Sequence, residues 1–151
     1  MFKVVVGCSD DIETEDAIAE VISVCDTELG GHIPKAGLVF CGTEFDHQQV
    51  LNAIQAHYPG LQLIGCTTDG EMTSCGGYTE DAVTLTLFCA DEIEIHAGYG
   101  EQASTDPIGA AKKAVDMARL GLTQAPQLAF VLPDGLASSA YEVLDGFNQV
   151  L

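Results

Sequence analysis

The sequence predicts an α/β fold: a mixed sheet with a parallel βαβαβ core, extended by antiparallel strands and with helices packed on the sheet faces. Three observations carry that prediction. Short apolar runs at residues 3–7, 38–41 and 61–65 alternate with stretches of helical period, the signature of strand–helix crossover units. Residues 82–88 then change character, alternating threonine with valine, leucine and phenylalanine as a half-covered antiparallel strand does. The second half of the chain also echoes the first. Residues 4–7 fall on 95–98 and residues 38–40 on 129–131 at one constant offset, which predicts an internal duplication of the βαβ unit.

Each element has its own local reason. After the first strand, Asp10 and Glu13 stand three apart as a capping box, and Ile18, Val21, Ile22, Cys25 and Leu29 form an apolar helical stripe. Gly30 and Gly31 end that helix. Asp46 and Gln49 cap the next, which buries Val50, Leu51, Ile54 and Tyr58 before Pro59 and Gly60 stop it. Beyond residue 88, a turn at Ala90 and Asp91 predicts a hairpin with residues 92–98. A helix starting near Asp106 and Pro107 buries Ile108, Ala111, Val115, Ala118 and Leu122. A strand at 128–132 and a last helix, capped by Ser139 and Glu142, complete the pattern.

The organisation expected is a single domain over residues 1–151, with a first unit of about 1–90 and a second, incomplete unit of about 91–151. The second copy stops at the end of its helix, before the strand that follows in the first copy. The chain therefore reads as truncated at its C-terminus, and an isolated 1–151 chain is expected to cover an apolar strip by self-association.

Charge narrows the function classes. Twenty-three acidic residues stand against five basic ones, a net charge of −18. Such a chain repels phosphate backbones and anionic lipid, so neither nucleic acid nor membrane is an expected partner. No leader and no apolar run of membrane-spanning length stand out, and six cysteines without a leader point to a reducing compartment, the cytoplasm. No CxxC pair supports structural zinc, and the four histidines show no ligand spacing, so no metal site is expected. The signatures GxSxG, GxGxxG, the P-loop and HExxH are all absent.

The chemistry concentrates at strand tips. Gly7-Cys8-Ser9, Cys41-Gly42-Thr43 and Gly65-Cys66-Thr67-Thr68 end three strands in similar small polar residues, followed in the third case by Asp69-Gly70-Glu71. Parallel strands would place these tips on one edge, beside helix N-termini with free N–H groups. The same cysteines also read as small buried fillers, and acids near helix starts as caps. Glu71 has no helix start to explain it, and Gly70 before it allows a sharp turn. The candidate ligand-binding set is Ser9, Thr43, Cys66, Thr67, Thr68, Gly70, Glu71 and, at the end of the repeated strand, Asp134. An acidic rim with helix N–H groups suits a zwitterion such as an amino acid.

The block Ile64-Gly65-Cys66-Thr67-Thr68-Asp69-Gly70-Glu71, with the strand at 83–88 behind it, resembles the "IGCST-x-GE" region of FIST proteins, named for F-box and intracellular signal transduction. Gly7-Cys8-Ser9, Val39-Phe40 before Asp46, and Pro133-Asp134-Gly135 agree with weaker positions, while Thr67 stands where serine is usual. The resemblance implies the N-terminal domain of a prokaryotic sensory protein that is not an enzyme. Such a domain would bind a small ligand and act, with a FIST C-terminal part, on a downstream signalling protein. It also leaves open a haem-based nitric oxide sensor, although no residue here is assigned to haem and no cofactor is expected. A thiol enzyme using Cys66 or Cys8 is the alternative from another class.

Overall fold

A computed structural model of the protein describes residues 1–136 and 139–151. It divides into two compact units, Met1–Ile93 and Glu94–Leu151.

In the first unit, β1 (Phe2–Ser9), α1 (Thr14–Leu29), β2 (Ala36–Cys41), α2 (His47–His57) and β3 (Gln62–Thr67) follow the predicted order. Helix α1 begins later than the expected box: Glu13 is its N-cap and makes no side-chain cap bond. The turn before it is held instead by Asp11, whose Oδ1 accepts the Glu13 N–H at 2.9 Å. Gly30 closes the helix in the left-handed region, φ 58°, donating to the Asp26 carbonyl. Helix α2 is capped as expected, Asp46 Oδ1 accepting the Gln49 N–H at 3.0 Å.

The sheet order corrects the prediction of a continuous parallel core. Strand β6 (Val83–Ala90) lies between β1 and β2, giving β1-β6-β2-β3. It is antiparallel to both neighbours, while β2 and β3 are parallel. The physical reason is burial, because Val83, Leu85, Leu87 and Cys89 line one face of β6 and are all buried, so the most apolar strand takes a central place. The carboxyl ends of β1, β2 and β3 still share one edge. The expected hairpin between residues 82–88 and 92–98 does not form. Both edges of β6 are occupied by β1 and β2, which leaves no edge of β6 for residues 92–98 to pair with.

Helices α1 and α2 cover one face. Ala17, Ile18, Val21, Cys25, Val50 and Ile54 meet Val5, Val39, Leu85 and Leu87 in one core. Each fully buried aliphatic side chain stabilises by about 1.5–3 kcal/mol relative to exposure. Gly7 permits the close approach: a Cβ there would lie 2.5 Å from the Val21 carbonyl oxygen. The opposite face carries Val4, Val6 and Cys8 of β1, Thr84, Thr86 and Phe88 of β6, and Leu38 and Phe40 of β2.

Strands β4 (Glu71–Thr73) and β5 (Gly77–Thr79) pair antiparallel as a separate hairpin, where the sequence indicated only a loop with a glycine bend. Cys75, in its turn, is joined by a disulfide to Cys8 at the end of β1. Cys25, Cys41, Cys66 and Cys89 are free thiols, so the cysteine set is not uniformly the reduced one expected.

In the second unit, α3 (Pro107–Arg119) and α4 (Ala140–Asn148) pack on each other. Asp106 Oδ1 caps α3 through the Gly109 N–H, and Ser139 caps α4 through that of Glu142. Gly146 lets the helices touch, since a Cβ there would stand 2.7 Å from that of Ala111. The strands expected at 92–98 and 128–132 do not form; the backbone of neither segment is a strand among the described residues. The helices of the second copy exist without its strands, so the fold does not establish the duplication.

Candidate functional site

The register across the sheet face opposite the helices places Cys8, Thr84, Phe40 and Cys66 in one row near the carboxyl edge of β1, β2 and β3. Past the end of β3, the Thr68 N–H donates to the Cys41 carbonyl at 3.1 Å, which holds the chain against the end of β2. The β4–β5 hairpin then follows, tied by Cys75 to Cys8 at the β1 end of that row. Between hairpin and sheet lies an open cleft of about 230 Å³. Phe40 and Thr84 line it from the sheet; Thr68, Gly70, Glu71, Met72 and Thr73 line it from the chain above.

Glu71 is the unusual residue. It is only 4% exposed, and one carboxylate oxygen, Oε1, accepts from the Thr68 hydroxyl. The other, Oε2, is buried with no hydrogen-bond partner. Burying an acceptor of that kind without a partner is costly, which is why such atoms are rare in folded proteins. Gly70 serves it by space rather than by a turn: its backbone is not left-handed, but a Cβ would come within 2.8 Å of the Tyr78 hydroxyl across the hairpin.

The neighbouring ionisable groups respond to this acid. Burial first, and the Glu71 charge second, push the Cys41 thiol up to about 11. The Tyr78 phenol is raised mainly by the charge of Glu80, with Glu71 and Asp69 adding to it. The Cys66 thiol is also raised, by partial desolvation of an otherwise exposed side chain. A raised thiol is the reverse of an activated nucleophile.

Of the residues singled out in the sequence, Thr68, Gly70 and Glu71 come together in the cleft. Cys66 sits beside Phe40 on the same face but is exposed, and Thr67 points to the other face of the edge strand. Ser9 faces the helices. Its hydroxyl donates to Glu20 Oε2 at 2.5 Å and accepts the Asp11 N–H at 3.2 Å. Thr43 is exposed and donates to Glu44. Asp134 belongs to the second unit, where its Oδ1 accepts the Leu136 N–H at 3.0 Å. The N-termini of α1 and α2 belong to the helical layer, on the sheet face opposite Phe40 and Thr84, so they do not serve the cleft. Phe40, Thr84, Met72 and Thr73 were missed. The threonine alternation of β6 held the signal for Thr84; the partners it would meet lay in the strand order.

The FIST N domain model matches residues 35–151, most of the chain and all of the cleft. This chain belongs to the FIST family. The FIST N domain is a sensory domain of signal transduction, which sets the class of its task. The comparison with curated proteins finds no match. Among the described residues of this FIST domain, no helix is long and apolar enough to cross a membrane, and no cluster of side chains could hold a metal ion.

Proposed function

We propose that this FIST domain is a non-enzymatic ligand sensor whose first unit receives the ammonium group of a small molecule, an amino acid or similar zwitterion, at Glu71. The observation that carries the reading is the buried, unpartnered Glu71 Oε2 at a cleft sized for a small molecule. An ammonium group supplies the missing donor and the opposite charge together; charge-assisted hydrogen bonds of this kind contribute on the order of 1.5–3 kcal/mol. Thr68 holds the second carboxylate oxygen, and Phe40 and Met72 supply apolar walls. Filling the cleft would steady the β4–β5 hairpin, a conformational signal that the rest of a FIST protein or a downstream signalling partner could read.

The thiol-enzyme alternative loses support, since Cys8 is bridged and Cys66 is raised rather than activated. Haem does not fit this cleft either. About 230 Å³ is below the range of drug-sized pockets, none of its lining residues is a histidine, and its rim would repel propionates. Isothermal calorimetry of the whole chain against a panel of amino acids tests the proposal. Binding weakened about tenfold or more by Glu71→Gln, with an unchanged circular dichroism spectrum, is the expected result. No binding by any ammonium compound, or equal binding by the variant, overturns it.

A further inference from the structure

Charge in the first unit is segregated by sheet edge. Its lysines are Lys3 and Lys35. Lys3 Nζ is spent on the Glu28 and Leu29 carbonyls at the C-terminal end of α1. Lys35 directly precedes β2, at the edge opposite the cleft, and its charge helps to lower the Asp91 carboxyl there. The chain's own N-terminal ammonium pairs with Asp91 at the same edge, 2.9 Å away. Glu71 lines the cleft, Asp69 lies between the lining residues Thr68 and Gly70, and the Tyr78 hydroxyl, which stands against Gly70, donates to Glu80 at 3.3 Å. Thus no cation of this unit is placed to hold a ligand carboxylate, and the helix N-termini that could have done so belong to the other face.

We infer that the cleft selects a small amine of net positive charge, with a second ammonium group, over a neutral zwitterion. The inference rests on the reading of Glu71 as the ammonium receptor and adds what reads the remainder of the ligand. One ammonium meets Glu71 at the buried end, and the second reaches the exposed Asp69 and Glu80 at the rim. A ligand carboxylate meets no cation of the unit at this edge and is repelled by three acids. The shared chemistry is two ammonium groups on a short aliphatic chain, as found in a free diamine or in a basic amino acid.

Four compounds of matched length separate the possibilities: 1,5-diaminopentane, lysine, norleucine and 2-aminoadipate, titrated into the whole chain by calorimetry. The diamine and lysine should bind at least about tenfold more tightly than norleucine, and 2-aminoadipate should bind weakest. Raising salt from about 0.05 to 0.5 M should weaken lysine severalfold and leave norleucine nearly unmoved. The double variant Asp69→Asn/Glu80→Gln, changed only at exposed positions, should bring lysine down to the level of norleucine. Diamine well above lysine identifies free amines as the source; the two alike identify basic amino acids as equally acceptable. Norleucine as tight as lysine, both weakened by Glu71→Gln, overturns this inference while leaving the ammonium site standing. Failure of all four overturns both.

Discussion

The two units spend similar apolar sequence in different ways. The first lays two helices over a four-stranded sheet and brings residues such as Val21, Ile54, Leu85 and Leu87 to essentially complete burial. The second joins one helix pair through Ala111, Val115, Val143 and Gly146 and leaves Leu128, Phe130, Leu136 and Tyr141 largely exposed. The difference is geometric. A sheet offers a continuous surface on which every second residue faces the same layer, whereas two short helices share a single stripe. A short apolar run such as that at 128–132 becomes a strand only when it is paired in a ladder. Stability and the candidate cleft both belong to the unit that has a sheet.

The sharpest way to break this comparison is Leu85→Ala. Removing a fully buried leucine from the centre of the sheet should cost about 2–5 kcal/mol. Val115→Ala in the helix pair should cost about 1 kcal/mol. Urea unfolding gives the sizes, and hydrogen exchange locates them. Equal loss of protection in α3 and in β6 on Leu85→Ala would mean that the units do not respond separately.

A second test uses the cysteines, all six of which lie in the first unit. The Cys8–Cys75 link closes a long loop, and links of that kind typically contribute about 2–4 kcal/mol. Dithiothreitol, or Cys75→Ser, should lower the stability of the first unit and open residues 71–79 to limited proteolysis. Exchange rates in α3 and α4 should stay unchanged.

The caps should give smaller and more even effects. Asp46→Ala on α2 and Asp106→Ala on α3 each remove one side-chain cap, worth about 1 kcal/mol. Glu13→Ala should cost almost nothing, because Glu13 caps α1 without a side-chain bond. Thermal melts of the three variants check the ranking.

The smallest effect is in acid. Asp91 is held below the usual carboxylate range chiefly by its hydrogen bond from the N-terminal ammonium, and Glu94 chiefly by the Thr123 hydroxyl. Both are lowered on folding. Their stabilisation is therefore complete above the ordinary carboxylate pKa and is lost as pH falls through the lowered values. Asp91→Asn should flatten the acid limb of the first unit and Glu94→Gln that of the second. Both changes should shrink in salt, since these groups are exposed.

What the sequence made legible was local. The stripe from Ile18 to Leu29, the cap at Asp46 and the alternation of residues 82–88 each depend on neighbours a few positions away, and each appears where expected. The break after β3 also pointed to Thr68 and Glu71, because polar residues cluster where an apolar strand stops. The insertion of β6 between β1 and β2 was not legible, since strand order is decided by which residues compete for a central place. That one non-local choice brought Thr84 into the cleft, whereas Ser9 lies outside it because alternation along β1 turns it to the helical face. The β4–β5 hairpin escaped notice because three-residue strands carry too little periodicity to register.

The place of β6 also governs when this unit can come into being. Strands β1 and β2 have no ladder with each other; β2 can pair with β3, but β1 waits for a partner whose last residue is Ala90. On a ribosome, where domains fold as they emerge, the helices α1 and α2 are made long before the sheet that should receive them. Until residues 83–90 leave the exit tunnel, the inward faces of Val5 and Val39 lack the strand that belongs between them, and the nascent unit depends on chaperones or on speed. A pause in translation while residues 83–90 are still inside the tunnel would therefore be more harmful to folding than one after they have emerged.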